Sequence, residues 1–342
     1  MSEMRAPQPV FEPDAPEIIA DPYTTYDRLR VADPVHFNAK GFWFLSRYED
    51  VAAALRDRRF SNRPAPFALL HARHRGRFIA SDVAANLMAF HDAPQHGELR
   101  QPLASAFRKR LSAIEADVED TAAGVARQLP KGTDIDAVSR FAAPCALRTT
   151  ARMMGLPDED LPRIARWSSD FFFMFHAIPD AATMARLNDS VSAFRSYVAD
   201  QIECPGSAGL IADLAEKTPV SERGGLADNI MLLIADGIEN VRAGLASALD
   251  VILRHPQHLD RLRHCQETLD RAIEEALRLE SPGQYQGRIT LEPVTIRGRE
   301  IRSRAIVLLG YGAANRDPET FDAPHLFDLD RPMQRTMTFG MG

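Results

Sequence analysis

Asp236-Gly237-Ile238-Glu239-Asn240-Val241 lies at the middle of the longest periodic stretch in this 342-residue chain. Around it Leu226, Ile230, Leu233, Ile234, Gly237, Ile238, Val241, Leu245, Leu249 and Ile252 recur at steps of three and four. At ~100° per residue these positions make one apolar stripe, which predicts a single long helix. Asp236, Glu239 and Asn240 fall together on the opposite side, within a ~100° arc. By periodicity alone that side is a solvated helix face.

Outward from this helix the pattern stays helical on the N-terminal side. From Pro94 to Leu214 it is broken only at Lys131-Gly132, Gly155-Leu156-Pro157, Ile178-Pro179 and Pro205-Gly206. Residues 1–20, with Pro7, Pro9, Pro13 and Pro16, read as an extended arm. Tyr23 to Arg30 and Tyr48 to Arg56 have helical spacing, and Phe42-Trp43-Phe44-Leu45 is a short strand. After Pro282 the texture changes, and Ile289 to Ile296 and Ala305 to Leu309 predict a small sheet. The reading is a mainly α protein with a minor β portion, one domain over 1–342.

Composition narrows the partners. Forty-one basic against 47 acidic residues give a net charge of −6, too mild to select nucleic acid or an acidic membrane. Only four cations are lysines, so 41 − 4 = 37 are arginines, as in a GC-rich bacterial gene. Cys145, Cys204 and Cys265 are odd in number and widely spaced, which suits a reducing cytoplasm. No stretch approaches the ~18 apolar residues of a membrane span, and Met1-Ser2-Glu3-Met4-Arg5 lacks an apolar signal core. A soluble cytoplasmic protein is expected.

Several short motifs carry chemistry. In His96-Gly97-Glu98-Leu99-Arg100, Pro94 can occupy the first helical turn and puts His96 and Arg100 one turn apart. Two cationic donors on one helix face suit a carboxylate, although in isolation such a pair is ordinary surface. Glu275 and Arg278 have the spacing of an exposed ion pair. Arg288 offers a planar five-donor fork at the start of a β segment.

Taken in order, His96 to Arg100, Asp236 to Val241, Glu275-Ala276-Leu277-Arg278, Gly287-Arg288, Ala313-Ala314-Asn315-Arg316-Asp317-Pro318 and Phe339-Gly340-Met341-Gly342 resemble a bacterial cytochrome P450 over essentially the whole chain. The resemblance implies that fold and a haem b cofactor. His96 and Arg100 would hold one haem propionate and Arg288 the other. Gly237 would let the central helix crowd the oxygen-binding face, Glu239 would relay protons, and Asn240, where the family usually has threonine, would hydrogen-bond the oxygen or its water. Glu275 and Arg278 would form a buried structural pair.

Phe339, Gly340 and Gly342 would open the haem loop, which in the family continues to the cysteine that ligates iron. That cysteine lies beyond Gly342, so the resemblance assigns no metal ligand within these residues. The expectation is a chain lacking the rest of the haem loop, the helix after it and the last strands, poorly stable and inactive alone. Two further departures stand out. Leu326, in Pro324-His325-Leu326-Phe327, replaces the cation that completes the Glu275–Arg278 network, which puts local stability in doubt. Arg304 replaces a turn glycine, which suggests a different turn before Ala305.

The function implied is insertion of one oxygen atom of O2 into a small organic substrate, with electrons from a ferredoxin and ferredoxin reductase. The alternative is a haem-free helper or binding protein, such as a glycosyltransferase activator. Retention of His96, Arg100, Arg288, Glu239 and the Phe339 to Gly342 opening together favours the monooxygenase. Asp170 to Asn188, with its Phe171-Phe172-Phe173-Met174-Phe175 run, belongs to the stretches that set substrate in the family.

Overall fold

Asp21 starts a helix by accepting hydrogen bonds from the backbone N–H groups of Tyr23 and Thr24, with Pro22 in the first turn. Asp180 caps another through Thr183, and Gly155 ends a third at φ +83°. Such local signals punctuate a computed structural model that describes residues 11–65, 68, 70–173, 180–206, 208–332 and 334–340. Its elements, in chain order, are α1 (Pro16–Ala20), α2 (Pro22–Ala32), β1 (Val35–Phe37), β2 (Phe42–Leu45), α3 (Tyr48–Arg56) and β3 (Phe60–Ser61). Then come α4 (Ile79–Ala84), α5 (Gln95–Leu111), α6 (Glu115–Arg127), α7 (Ala143–Met154), α8 (Leu161–Phe173), α9 (Ala181–Glu203), α10 (Leu210–Ala215) and α11 (Arg223–Leu253). The last are α12 (Leu259–His264), α13 (Gln266–Leu279), β4 (Tyr285–Thr290), β5 (Val294–Ile296), β6 (Arg299–Ile301), β7 (Ile306–Gly310) and α14 (Tyr311–Ala314).

The chain divides into two compact units, one of residues 63–246 and one joining the residues up to Asn62 with those from Ser247 on. The first is helical. Its core gathers Ile230, Met231, Ile234 and Ile238 of α11 with Trp167 and Phe171 of α8 and Phe194 of α9. The second carries the β structure: a five-stranded sheet of order β1-β2-β7-β4-β3 and the β5-β6 hairpin. β7 is central, parallel to β2 and antiparallel to β4. Gly310 ends it where a Cβ would meet Phe44 Cζ at 2.5 Å, so only glycine lets strand and ring approach.

The mainly α reading with a minor sheet holds. The expected arm differs over its described part: Phe11 is fully buried against Tyr26 and Phe44, and Pro16–Ala20 is helical because Pro16 starts a turn rather than preventing one. Residues 1–10 lie outside the described residues.

Arg304 is a clearer correction. Its φ is +61°, so the arginine adopts the left-handed conformation of the glycine it replaces, and the turn is kept. The Arg304 N–H donates to Thr290 O at 2.6 Å, and the Ala305 N–H to Thr290 Oγ1 at 2.9 Å, which holds the turn against β4. In the β5-β6 hairpin Arg297 and Gly298 likewise have φ +47° and +77°, the handedness a two-residue hairpin loop requires.

The Glu275–Arg278 network is complete despite Leu326. Arg278 Nε donates to Glu275 Oε2 at 2.7 Å and its Nη2 to Oε1 at 2.8 Å. Arg331 supplies the third cation, its Nε donating to Glu275 Oε1 at 2.9 Å. Leu326 is 63% exposed and takes no part with its side chain. His325 reaches Asp27 instead, at 3.4 Å.

Two outcomes follow for stability. Arg304→Gly should raise it by about 0.5–1 kcal/mol, because relief of left-handed strain outweighs the added freedom of the unfolded chain. Arg331→Leu should cost about 2–4 kcal/mol by leaving Glu275 under-compensated, while Leu326→Arg should stay within about 0.5 kcal/mol. Urea midpoints of the three variants check both.

Candidate functional site

On α5, His96 and Arg100 stand one turn apart, as expected, with Pro94 at the N-cap. His96 Nδ1 lies 2.9 Å from Met88 O. A carbonyl only accepts, so Nδ1 carries the proton and Nε2 faces elsewhere. Arg100 is exposed and makes no hydrogen bond or ion pair among the described residues. An uncommitted guanidinium one turn from an imidazole nitrogen suits a carboxylate such as a haem propionate.

Arg288, in the other unit, is buried on β4 opposite Val307 of β7. Its Nη1 donates to Gly287 O at 2.9 Å, and its guanidinium also bears on the Tyr311 hydroxyl. Burial pushes the Tyr311 phenol up, and Arg288 pulls it part of the way back. Tyr311 in turn donates to Gln286 Oε1 at 2.6 Å.

Phe339 and Gly340 are anchored in the same unit as Arg288. Met337 N–H donates to Asn315 Oδ1 at 2.6 Å, and Thr338 Oγ1 to Leu277 O at 3.2 Å. Asn315 is fully buried and also donates to Ser281 Oγ at 2.8 Å. Gly340 has φ +78° and would place a Cβ 3.1 Å from the Tyr311 hydroxyl. Phe339 is left exposed. Gly342 lies outside the described residues.

The α11 residues separate in a way that periodicity does not reveal. A Cβ on Gly237 would meet Thr150 Oγ1 at 2.9 Å, so this glycine permits close approach of α7 and α11. Glu239 is ion-paired with Arg242 three residues on. Asn240 is exposed, and its Nδ2 lies 3.5 Å from Asp236 Oδ1. Asp236, which the motif reading left without a role, is half-buried, and loss of hydration pushes its carboxyl up to about 6. The only sequence signal for it was its place beside Glu239 and Asn240 on one arc.

Elsewhere, Cys145 is buried, which pushes its thiol up, while Cys204 and Cys265 are exposed. Among the described residues no group of three or more His, Cys, Asp or Glu side chains could hold a metal ion. No helix among them is long and apolar enough to cross a membrane. Of the phenylalanine run, Phe171 is core and Phe173 is partly exposed, and Met174 and Phe175 fall outside the described residues.

Comparison with known proteins gives a consistent result. The family model described as cytochrome P450 matches residues 214–342. The biotin biosynthesis cytochrome P450 of Bacillus subtilis (strain 168) is 29% identical over 338 residues, covering 95% of this chain and 84% of that protein. The crystal structure of CalO2 superposes with a TM-score of 0.88 at 31% identity, covering 98% of this chain and 85% of that one. That of P450BioI, in complex with acyl carrier protein ligated with hexadec-9Z-enoic acid, gives 0.86 at 28% identity, covering 95% and 86%. The similarity extends over both compact units, and the chain belongs to the bacterial cytochrome P450 monooxygenase family.

Proposed function

We propose that this chain serves the reaction O2 + RH + 2e⁻ + 2H⁺ → ROH + H2O on a small organic substrate, with haem b as cofactor and a ferredoxin-type protein as electron donor. Thiolate-bound haem would supply the O–O bond cleavage in this chemistry. The chain's own residues would bind and orient that group: His96 and Arg100 would take one propionate and Arg288 the other, and the Phe339-Gly340 turn would open the haem loop. Asn240 offers an amide that can both donate and accept, so it can hold an oxygen atom or a water in place.

The observation that carries this reading is Arg100. An arginine that makes no ion pair among the described residues, one turn from a histidine whose Nδ1 is already anchored, is arranged for an anion supplied from outside the protein. A helper protein without haem has no use for that arrangement. Arg297, by contrast, is bound to Asp50 at 2.6 Å and is a structural cation.

Propionate contacts of this kind contribute about 1.5–3 kcal/mol each, and 1.4 kcal/mol is tenfold in affinity. In a protein that includes the haem-loop cysteine, Arg100→Ala and Arg288→Ala should each speed haem transfer to apomyoglobin at least tenfold, and Arg297→Ala should not. A protein that takes up no haem, or equal loss in all three variants, overturns the reading.

A further inference from the structure

Asn229 interrupts the apolar stripe of α11, three residues after Leu226 and four before Leu233, and it is only 2% exposed. A buried amide at a core position costs stability unless its groups are paired. Its Oδ1 accepts the Met88 N–H at 2.8 Å, and its Nδ2 donates to Asn86 O at 2.8 Å and to Gly225 O at 2.9 Å. Turning the amide over would set nitrogen against an N–H and oxygen against two carbonyls, so its orientation is fixed.

The residues it grips belong to a turn with no cap of its own. Met88 opens the 3-10 turn Met88–Phe90, and Leu87 before it has no side chain that could receive the first N–H. Asn229 supplies that acceptor from a distant helix. Asn86 is held a second time through its side chain, which donates to Asp228 Oδ2 at 2.7 Å. Asp228 is fully buried, and Arg195 of α9 donates to the same oxygen at 2.9 Å. The other polar group of Met88, its carbonyl, is the one that accepts from His96 Nδ1 at 2.9 Å. Met88 therefore stands between α11 and the imidazole, with its N–H on Asn229 and its C=O on His96.

We infer that Asn229 is a positioning residue of the haem site: through Met88 it fixes the direction of the His96 ring and keeps a proton on Nδ1, so that a proton offered to an anion is carried on Nε2. This rests on the monooxygenase reading above, which puts a propionate at His96 and Arg100. Which imidazole nitrogen faces a ligand is set by the hydrogen bond that the other one makes. That bond is only as well placed as the Met88 carbonyl, and the carbonyl is only as well placed as the turn that Asn229 caps.

The haem-free chain tests the positioning. At about pH 9, well above the ordinary histidine range, long-range ¹H–¹⁵N spectra of wild type should show Nε2 of His96 as the bare nitrogen. Asn229→Leu, close in shape but unable to pair with Met88, should move His96 toward the Nε2–H form that a free imidazole prefers. Tyr197→Phe, which removes a hydrogen bond to Asp160 in the same unit, should leave the tautomer as in wild type. A bare Nδ1 in wild type overturns the proposal before any variant is made. An Nδ1–H ring that survives Asn229→Leu, or that Tyr197→Phe also abolishes, overturns it too.

In a protein that includes the haem-loop cysteine, Asn229→Leu should speed haem transfer to apomyoglobin about three- to tenfold. His96→Ala should speed it as well, and adding Asn229→Leu to His96→Ala should change the rate by no more than about twofold, because both act on one contact. A full further loss in the double variant means that Asn229 serves stability alone, and it overturns the positioning. A His96→Ala variant that keeps haem as wild type does, or a wild-type protein that takes up none, overturns the reading of the haem site instead. The tautomer measurement needs no haem and tells these two failures apart.

Discussion

Glu275 is the point on which the organisation of the C-terminal half turns. Its two carboxylate oxygens receive Arg278 from the same helix and Arg331 from more than fifty residues later. Arg278 then donates to the carbonyls of Asn315 and Pro324, at 2.7 and 2.8 Å, and lies 5.1 Å from the centre of the Phe321 ring. Two cations on one buried carboxylate offset a desolvation cost that a lone pair would leave large. The carbonyls that Arg278 and Arg331 bind belong to an irregular stretch with little secondary structure to satisfy them. That stretch leads directly to Asn315, Met337 and Thr338, and so to the Phe339-Gly340 turn.

The Ala313 to Pro318 motif serves the same anchoring from the other side. Asn315 ties Ser281 to Met337, and Arg316 donates to Leu279 O and Glu280 while lying 3.4 Å from the centre of the Tyr23 ring. Asp317 Oδ2 accepts from the Tyr48 N–H at 2.9 Å, capping α3 where Arg47 offers no cap of its own. Residues that read as a family signature are, in physical terms, satisfying orphaned donors and acceptors at helix ends.

On α11 one helix face carries three polar side chains with three different fates. Glu239 has a nearby guanidinium, Asn240 meets solvent, and Asp236 is half-buried with no ion pair among the described residues. Gly237 between them is occupied with the approach of Thr150, so close helix packing and polar display coexist within five residues.

Periodicity and punctuation alone determined the elements of this protein. The helix Tyr48–Arg56, the strand Phe42–Leu45, the long α11 and the breaks at Gly132 and Gly155 are local events, each set by side-chain spacing or by a backbone conformation that one residue permits. The positions of His96, Arg100, Arg288 and the Glu275–Arg278 pair were likewise legible, because each belongs to a short motif of fixed spacing. Tertiary structure decided the rest. Arg331 could not be matched to Glu275 from spacing, since a salt bridge across so long a separation depends on the path of the intervening chain. That Arg304 keeps a left-handed turn depends on its hydrogen bonds to Thr290, since the residue type argued for a different one. The different surroundings of Asp236, Glu239 and Asn240 depend on exposure and on which acid has a guanidinium in reach, and neither is a property of sequence order.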